Sequence, residues 1–187
     1  VENVSGTNYQ AFVQQNVLDP LGLANTFAPL HSQVSVPEPA MDSYMFLGDA
    51  FTDTSDWNPS VEFGCGSVIS TLEDLLAAAD GFFLSTNLLT SETHALMMDP
   101  VSPGPVSTYG RGCNAQDGLG WGHDGTMWGM ISIMRADPSN GVCLSGALNL
   151  QYEDERLYAS FFQLQSAAAL LKNALGYDAG AFGTEPP

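Results

Sequence analysis

The sequence predicts an α+β fold in which helices pack against an antiparallel sheet meander. Three observations support this prediction. Segments with helical hydrophobic spacing occupy the first half of the chain, two apolar runs of strand length follow, and a long segment of helical character comes last. This order is typical of the α+β class. With 187 residues the chain is long enough for one domain, so we expect a single domain over 1–187.

The first helix is predicted over Tyr9–Leu18, where Phe12 and Val13 share a face with Val17, and Asp19-Pro20 is expected to end it. The next stretch, 27–60, is rich in Pro, Asp and Ser and has no clear period. We therefore expect a long surface excursion, which compact domains use to shape a site. The aromatic residues of this excursion either line a substrate cleft or pack; they are Tyr44, Phe46, Phe51 and Trp57.

Two helices are predicted in the middle of the chain. One begins after Ser70 or Thr71, each a plausible N-cap, has two acidic residues in its first turn and runs towards Phe83. The other is short and covers Ser91–Met98. Prolines then break the chain.

Beyond residue 107 the sequence indicates strands. The expected strands are Tyr109–Gly112, Leu119–His123, Met127–Met134 and Val142–Asn149. The residues 137–141, Asp-Pro-Ser-Asn-Gly, have turn chemistry and join the last two strands as a hairpin. A final helix is expected over Glu153–Ala174, with Gly176 just beyond its end.

Composition excludes several classes of function. The 21 acidic against 4 basic side chains give a formal net charge of −17, which repels phosphate backbones, so we expect no nucleic-acid partner. No apolar stretch has the length of a membrane span. The three cysteines lack zinc-site spacing, and neither a metal nor an organic cofactor is indicated. We expect a Cys113–Cys143 disulfide with Cys65 free, or else three buried thiols.

Three stretches resemble one known family. They read GTNYQAFVQQNVLDPLGLANTF, GCGSVISTLEDLLAAADGFF and YGRGCNAQDGLGWGHDGTMWGMISIMRADPSNGVCLSGALN. In this order and spacing they are similar to the serine β-lactamases and D,D-carboxypeptidases, in the class C-like branch that includes family VIII esterases. The resemblance implies the C-terminal portion of the β-lactamase/transpeptidase-like fold. It also implies a periplasmic or secreted serine hydrolase that acts through an acyl-enzyme on a D-Ala-D-Ala peptide, a β-lactam or an ester.

The third stretch contains the residues to which the resemblance assigns roles. His123 takes the place of the family's Lys or His, and the backbone N–H of Thr126 would donate to the oxyanion, so these two are the catalytic candidates. Gly125 lets a substrate lie close to the strand. Asp124 and Trp128, with Gly125, are the substrate-binding candidates, and a pair between the neighbouring Asp124 and His123 side chains is one alternative. Trp121 and Trp128 either line a groove or pack.

The nucleophile of this family is missing from the sequence. The family uses Ser-Xaa-Xaa-Lys and Tyr-Xaa-Asn motifs. The only lysine here is Lys172, which follows Ala169 by three residues, and no tyrosine is followed two residues later by Asn. We interpret the chain as a C-terminal part, inactive alone, whose partner is an N-terminal segment or companion chain with the serine.

Three other interpretations stay open. The fold piece can serve as a non-catalytic module that binds a peptide or glycan, as the missing nucleophile suggests. A Ser-His-Asp triad within the chain would use His31, His94 or His123, but no Gly-Xaa-Ser-Xaa-Gly motif occurs. A thiol nucleophile would be Cys65, although small residues around it more often permit close backbone packing.

Overall fold

Two sheets organise the molecule. The structure, a computed structural model, describes residues 1–32, 35–103 and 107–179. A six-stranded antiparallel sheet keeps its strands in chain order, β3-β4-β5-β6-β7-β8, and a three-stranded sheet has the order β2-β1-β9. The strands are β1 Tyr44–Leu47, β2 Ala50–Asp53, β3 Ser102–Pro103, β4 Ser107–Tyr109, β5 Asn114–Gln116, β6 Gly120–Met127, β7 Met130–Asp137, β8 Val142–Leu148 and β9 Leu150–Tyr152. The predicted α+β class and antiparallel meander are confirmed.

The helices are distributed before, between and after these strands. They are α1 Glu2–Ser5, α2 Tyr9–Val13, α3 Asp19–Leu21, α4 Leu72–Phe83, α5 Ser91–Met97 and α6 Arg156–Ala174, with a π-helical segment Gln14–Leu18 and a 3₁₀ segment Pro59–Cys65. The expected end of the first helix at Asp19-Pro20 is wrong. Pro20 lies in the first turn of α3, where its missing N–H costs little. The helical run stops instead at Gly22, with φ 68°.

The cap of α4 links two distant parts of the chain. Thr71 accepts a hydrogen bond from the Asp74 N–H at 3.2 Å, which confirms the predicted N-cap. The Asp74 carboxylate in turn accepts from the Asn25 N–H at 2.8 Å and from the Thr26 hydroxyl at 2.7 Å. The start of α4 therefore holds the segment that follows α3.

The 27–60 stretch contains a hairpin that the sequence did not reveal. Strands β1 and β2 pair antiparallel, and β1 runs parallel to β9 with Tyr44 opposite Leu150. All four residues of β2 are exposed. This pairing depends on a partner about a hundred residues away, so local hydrophobic spacing carries little trace of it.

The two helices α4 and α6 cover opposite faces of the large sheet. On one face, Ile133 packs with Leu144 and with Ala168 and Ala169 of α6. On the other, Ala136 packs with residues of α4, including Ala79. Gly176, just after α6, has φ 87°, as expected for a residue beyond a helix end. Within the described ranges, no helix has the length and apolar character needed to cross a membrane.

All four basic side chains form ion pairs. The pairs are Arg111–Asp99, Arg135–Asp124, Arg156–Asp154 and Lys172–Asp137. The Lys172 side chain is fully buried, and its ammonium group donates to the Asp137 carboxylate at 2.5 Å and to the Gly118 carbonyl at 2.7 Å. The only lysine of the sequence therefore fixes α6 to the sheet.

The expected Cys113–Cys143 disulfide is wrong, because all three cysteines are free thiols. The buried Cys113 thiol lies 3.4 Å from the Met97 carbonyl and donates to it. Burial, together with the charge of Asp80, raises the pKa of Cys143 to about 11. The alternative of three buried thiols fails as well, since Cys65 is exposed.

Candidate active site

Strand β6 has an open edge along its second half. The short strand β5 pairs with β6 only over Gly120–Gly122, whereas β7 pairs with it as far as Met127. Among the residues that the structure describes, no strand pairs with 123–127 on the side away from β7. Unpaired backbone N–H and C=O groups at such an edge are free to bond to an added ligand.

The turn after β6 shows which backbone groups face the open edge. Trp128 and Gly129 form a two-residue turn, both with positive φ (45° and 91°), and Met127 lies opposite Met130. In such a hairpin the residues that flank the turn exchange both hydrogen bonds, and the pattern then alternates along the strand. The N–H of Thr126 therefore points away from β7, towards the open edge. A fixed N–H in this position can donate to a developing oxyanion.

This turn corrects the strand bounds expected from the sequence. The predicted strand Met127–Met134 is wrong at its start, because the chain reverses at Trp128, and the predicted strand Leu119–His123 continues to Met127. A tryptophan with φ 45° is unusual, and Gly129 was the available turn signal. His123 and Thr126 consequently share one continuous strand.

Gly125 has no side chain, so the backbone beside the Thr126 amide is uncovered. A Cβ atom added at Gly125 would lie 2.6 Å from the Ser132 hydroxyl oxygen of β7. Its φ is not in the left-handed region, so the backbone itself would accept another residue. The absence of a side chain therefore matters for space rather than for conformation.

The exposed His123 ring is held by two hydrogen bonds. Its Nδ1 lies 2.6 Å from the Asp124 carbonyl oxygen, and its Nε2 lies 3.0 Å from the Tyr109 hydroxyl of β4. The two rings meet edge to face, with centroids 5.8 Å apart. The site prediction did not include Tyr109; the Tyr-Gly sequence at 109–110 was the only signal for it.

The Asp124 carboxylate pairs with Arg135 and not with His123. Successive side chains of a strand point to opposite faces, so the Asp124 carboxylate turns away from the imidazole. It accepts from the buried Arg135 guanidinium at 2.6 Å and from the Gln165 amide of α6 at 3.4 Å. Arg135 also donates to the Asn114 carbonyl at 3.0 Å. Burial lowers the pKa of Arg135, and the nearby charge of Asp124 opposes that shift.

Trp128 packs and lines a cleft at the same time. Its ring stacks on Trp57 with centroids 3.6 Å apart, and its carbonyl accepts from the Thr54 hydroxyl at 2.8 Å. A cleft of about 470 Å³ lies here, lined by Met45, Leu47, Thr52, Asp53, Thr54, Asp56, Trp57, Trp128 and Glu153. Trp121, by contrast, packs against the cluster around Ala136.

Among the described residues, the structure forms neither a Ser-His-Asp triad nor an activated Cys65 nucleophile. In the described ranges, no imidazole is hydrogen-bonded to a serine hydroxyl; His31 stacks on Phe63, and the His94 Nε2 is buried without a partner. The Cys65 thiol donates a hydrogen bond to the Glu62 carboxylate, and this bond raises the pKa of Cys65, which disfavours the reactive thiolate. Nor do the described His, Cys, Asp and Glu residues form a group of three that could hold a metal ion.

Comparison with known proteins identifies the family. The family model described as Beta-lactamase matches residues 1–168. The chain belongs to the Beta-lactamase family. Its helices and antiparallel sheet are accordingly part of a β-lactamase/transpeptidase-like fold. No curated protein matches the chain.

Solved structures similar to this Beta-lactamase family member include two amide-cleaving enzymes. A D-stereospecific amidohydrolase from Streptomyces sp. is 28% identical, with a TM-score of 0.72, over 79% of this chain and 46% of that one. A D-amino acid amidase from Ochrobactrum anthropi SV3 is 22% identical, with a TM-score of 0.74, over 94% and 52%. A penicillin-binding protein homologue from Pyrococcus abyssi is 17% identical, with a TM-score of 0.69, over 95% and 40%. The chain thus spans about half the length of these proteins.

Proposed function

We propose that this chain is the C-terminal part of a serine hydrolase that forms an acyl-enzyme with an amide or ester substrate. The observation that carries the proposal is the open edge of β6, where the Thr126 N–H points outward beside the uncovered Gly125 backbone. Its membership in the Beta-lactamase family supports the same class of chemistry. His123 lies three residues earlier on the same strand, and its ring is exposed.

The proposed reaction divides its groups between two segments. A serine hydroxyl on an N-terminal segment or companion chain gives its proton to a base of that segment and attacks the substrate carbonyl carbon, and the carbonyl oxygen takes up negative charge. When the C=O bond re-forms, the C–N or C–O bond breaks, and the leaving amine or alcohol takes up the proton while the acyl group stays on the serine. The Thr126 N–H stabilises that charge, and the amide of the nucleophile supplies the second donor. The sequence contains no Ser-Xaa-Xaa-Lys, and Lys172 is fully buried against Asp137, so nucleophile activation belongs to the other segment. The chain alone is accordingly inactive.

Within this class, substrates with an amide next to a D-configured centre are favoured. The Streptomyces relative is named as a D-stereospecific amidohydrolase, and the Ochrobactrum relative as a D-amino acid amidase. D-Ala-D-Ala peptides, β-lactams and simple esters share the acyl-enzyme route and are the other candidates. The cleft beside Trp128 is mostly apolar in its lining and suits the side chain of such a substrate. A periplasmic or secreted location is part of the proposal.

An acylation experiment tests this function. The protein that includes the proposed nucleophile segment is incubated with a fluorescent penicillin and with a fluorophosphonate. Intact mass spectrometry with peptide mapping then locates the label. We expect the label on a serine of a Ser-Xaa-Xaa-Lys motif outside residues 1–187. A label on a residue of 1–187 contradicts the proposal. Absence of any label, with retained binding of a peptide or glycan, supports the non-catalytic module instead.

The role of Thr126 is tested by a matched pair of substitutions. Thr126→Pro removes the backbone N–H that faces the open edge, and this position is tolerant of proline because no ladder bond is lost there. Thr126→Ala removes the hydroxyl and keeps the N–H. We expect Thr126→Pro to lower the acylation rate about 100- to 1,000-fold, and Thr126→Ala to leave it within a small factor of the original. Equal losses in both variants contradict the assigned role of the amide.

A further inference from the structure

Tyr109 reaches the candidate site from two strands away. It lies opposite Asn114 of β5, which in turn lies opposite Gly122, the residue before His123. Asn114 is the first residue of β5, so the phenol extends past the start of that strand. Its hydroxyl oxygen lies 3.0 Å from the His123 Nε2. The hydroxyl therefore stands where β6 loses its β5 neighbour.

The turn that follows Tyr109 is fixed to the protein at several points. The Gly110 N–H donates to the Cys113 carbonyl at 2.7 Å, and the Arg111 N–H donates to the Met97 carbonyl at the end of α5 at 2.8 Å. A Cβ atom at Gly110 would lie 2.4 Å from the Met97 carbonyl oxygen, so the backbone approaches α5 as closely as only glycine permits. The phenol thus projects from an anchored backbone.

The hydrogen bonds of His123 determine its tautomer. A carbonyl oxygen only accepts, so the 2.6 Å contact with the Asp124 carbonyl requires the proton on Nδ1. In the neutral ring Nε2 is then an acceptor, and the Tyr109 hydroxyl is its donor. Free histidine in water favours the opposite tautomer, with its proton on Nε2. The site therefore holds His123 in the less common form.

We propose that Tyr109 is a positioning residue for His123, and that the two side chains act as one hydrogen-bonding unit in which the phenol fixes the Nδ1–H tautomer and the ring orientation. Both ring nitrogens form hydrogen bonds within the protein, so a ligand would contact the phenol and the imidazole as a pair. The anchored turn of Tyr109 and the Asp124 carbonyl restrain this unit from two sides. Its relevance to catalysis rests on the proposed hydrolase function, whereas the tautomer itself does not.

Nuclear magnetic resonance of the ¹⁵N-labelled protein tests the tautomer directly. Long-range ¹H–¹⁵N spectra are recorded about two pH units above 6.5, where an ordinary imidazole is neutral, and His123→Gln assigns the His123 signals. We expect a protonated Nδ1 and an unprotonated Nε2 that accepts a hydrogen bond. Tyr109→Phe should shift the Nε2 resonance, and the control Tyr158→Phe, at a side chain that is 72% exposed, should leave it unchanged.

Two NMR results overturn the proposal: a His123 that carries its proton on Nε2 in the unmodified protein, or a Tyr109→Phe variant with unchanged His123 signals. In the enzyme complete with its nucleophile, Tyr109→Phe should lower the maximal acylation rate about 10- to 100-fold. The probe concentration at half-maximal rate should stay constant, as it does when orientation rather than binding is lost. An unchanged rate overturns the positioning role. A wild-type protein that is never acylated overturns the hydrolase function and leaves the tautomer measurement valid.

Discussion

Replacing Lys172 by methionine should destabilise the fold, because it leaves the Asp137 carboxylate without its partner. The ammonium group is fully buried and donates to the Asp137 carboxylate at 2.5 Å and to the Gly118 carbonyl at 2.7 Å. Methionine has a similar length and keeps most of the apolar contacts of the lysine stem. The substitution therefore isolates the loss of the charge and its two hydrogen bonds.

The expected cost is about 3 kcal/mol of unfolding free energy. Removing one member of a buried ion pair costs about 3–5 kcal/mol, because the remaining charge is left without compensation. The lower end applies here, since the Asp137 side chain is 14% exposed and also accepts from the Ser139 N–H and hydroxyl. For a protein of this size the melting temperature should fall by about 6 to 12 °C.

The cost should depend on pH in a defined direction. Burial raises the pKa of Asp137, but hydrogen bonds from Lys172 and Ser139 outweigh it and hold the pKa below the ordinary value of 3.8. A carboxylate with a lowered pKa stabilises the fold above its unfolded-state pKa, and this contribution is lost as the pH falls through the folded-state pKa. The difference between Lys172→Met and the original protein should therefore be full at neutral pH and shrink below pH 3.8.

Urea unfolding at neutral and acidic pH measures this difference. The double variant Lys172→Met/Asp137→Asn should lose less stability than the two single losses added together. As a control, Arg156→Met removes a half-exposed pair with Asp154 and should change stability little. A cost of Lys172→Met below about 1 kcal/mol, or one that is the same at both pH values, would refute the reasoning.

Three further outcomes follow from the site strand and the thiols. Gly125→Ala should fold with little loss of stability, because its new methyl group meets only a serine hydroxyl that can rotate, yet the variant should no longer be acylated. Gly122→Ala should fail to fold stably in a thermal melt, because its Cβ would lie 1.8 Å from a backbone carbonyl oxygen. Arg135→Met should cost about 3 kcal/mol in urea unfolding, because it leaves the Asp124 carboxylate without its fully buried guanidinium partner, and a loss near zero contradicts this role. In a thiol titration the exposed Cys65 should react in the native protein, whereas Cys143, with a pKa of about 11, should react only after unfolding. A count of fewer than three reactive thiols in urea without reductant would indicate a disulfide and contradict the three free cysteines.

Local sequence signals were sufficient where an element depends on its own residues. Thr71 with the acidic turn after it marked the start of α4, and Gly176 marked the end of α6. The turn chemistry at 137–141 correctly separated the last two long strands. Each of these features is decided by caps and turn residues within a few positions, so no distant partner was needed to recognise them.

Features that depend on distant partners were missed. The β1–β9 pairing joins Tyr44 to Leu150, and the three-residue strand β5 exists only because β4 and β6 flank it. The partner of Asp124 shows a different limit. Alternation along a strand would have excluded His123 as its partner, but only after 123 and 124 had been placed inside β6 rather than at its end. Arg135 then becomes the nearest cation on the same face.

The engagement of all four basic side chains in ion pairs has a consequence for how two copies of residues 1–187 meet in solution. No lysine or arginine is left unpaired to attract the acidic groups of a neighbouring copy, so the net charge of −17 acts between two such copies mainly as repulsion. An open strand edge like that of β6 otherwise invites edge-to-edge aggregation. The carboxylates keep that edge available to a smaller ligand, and added salt, which screens them, weakens this protection.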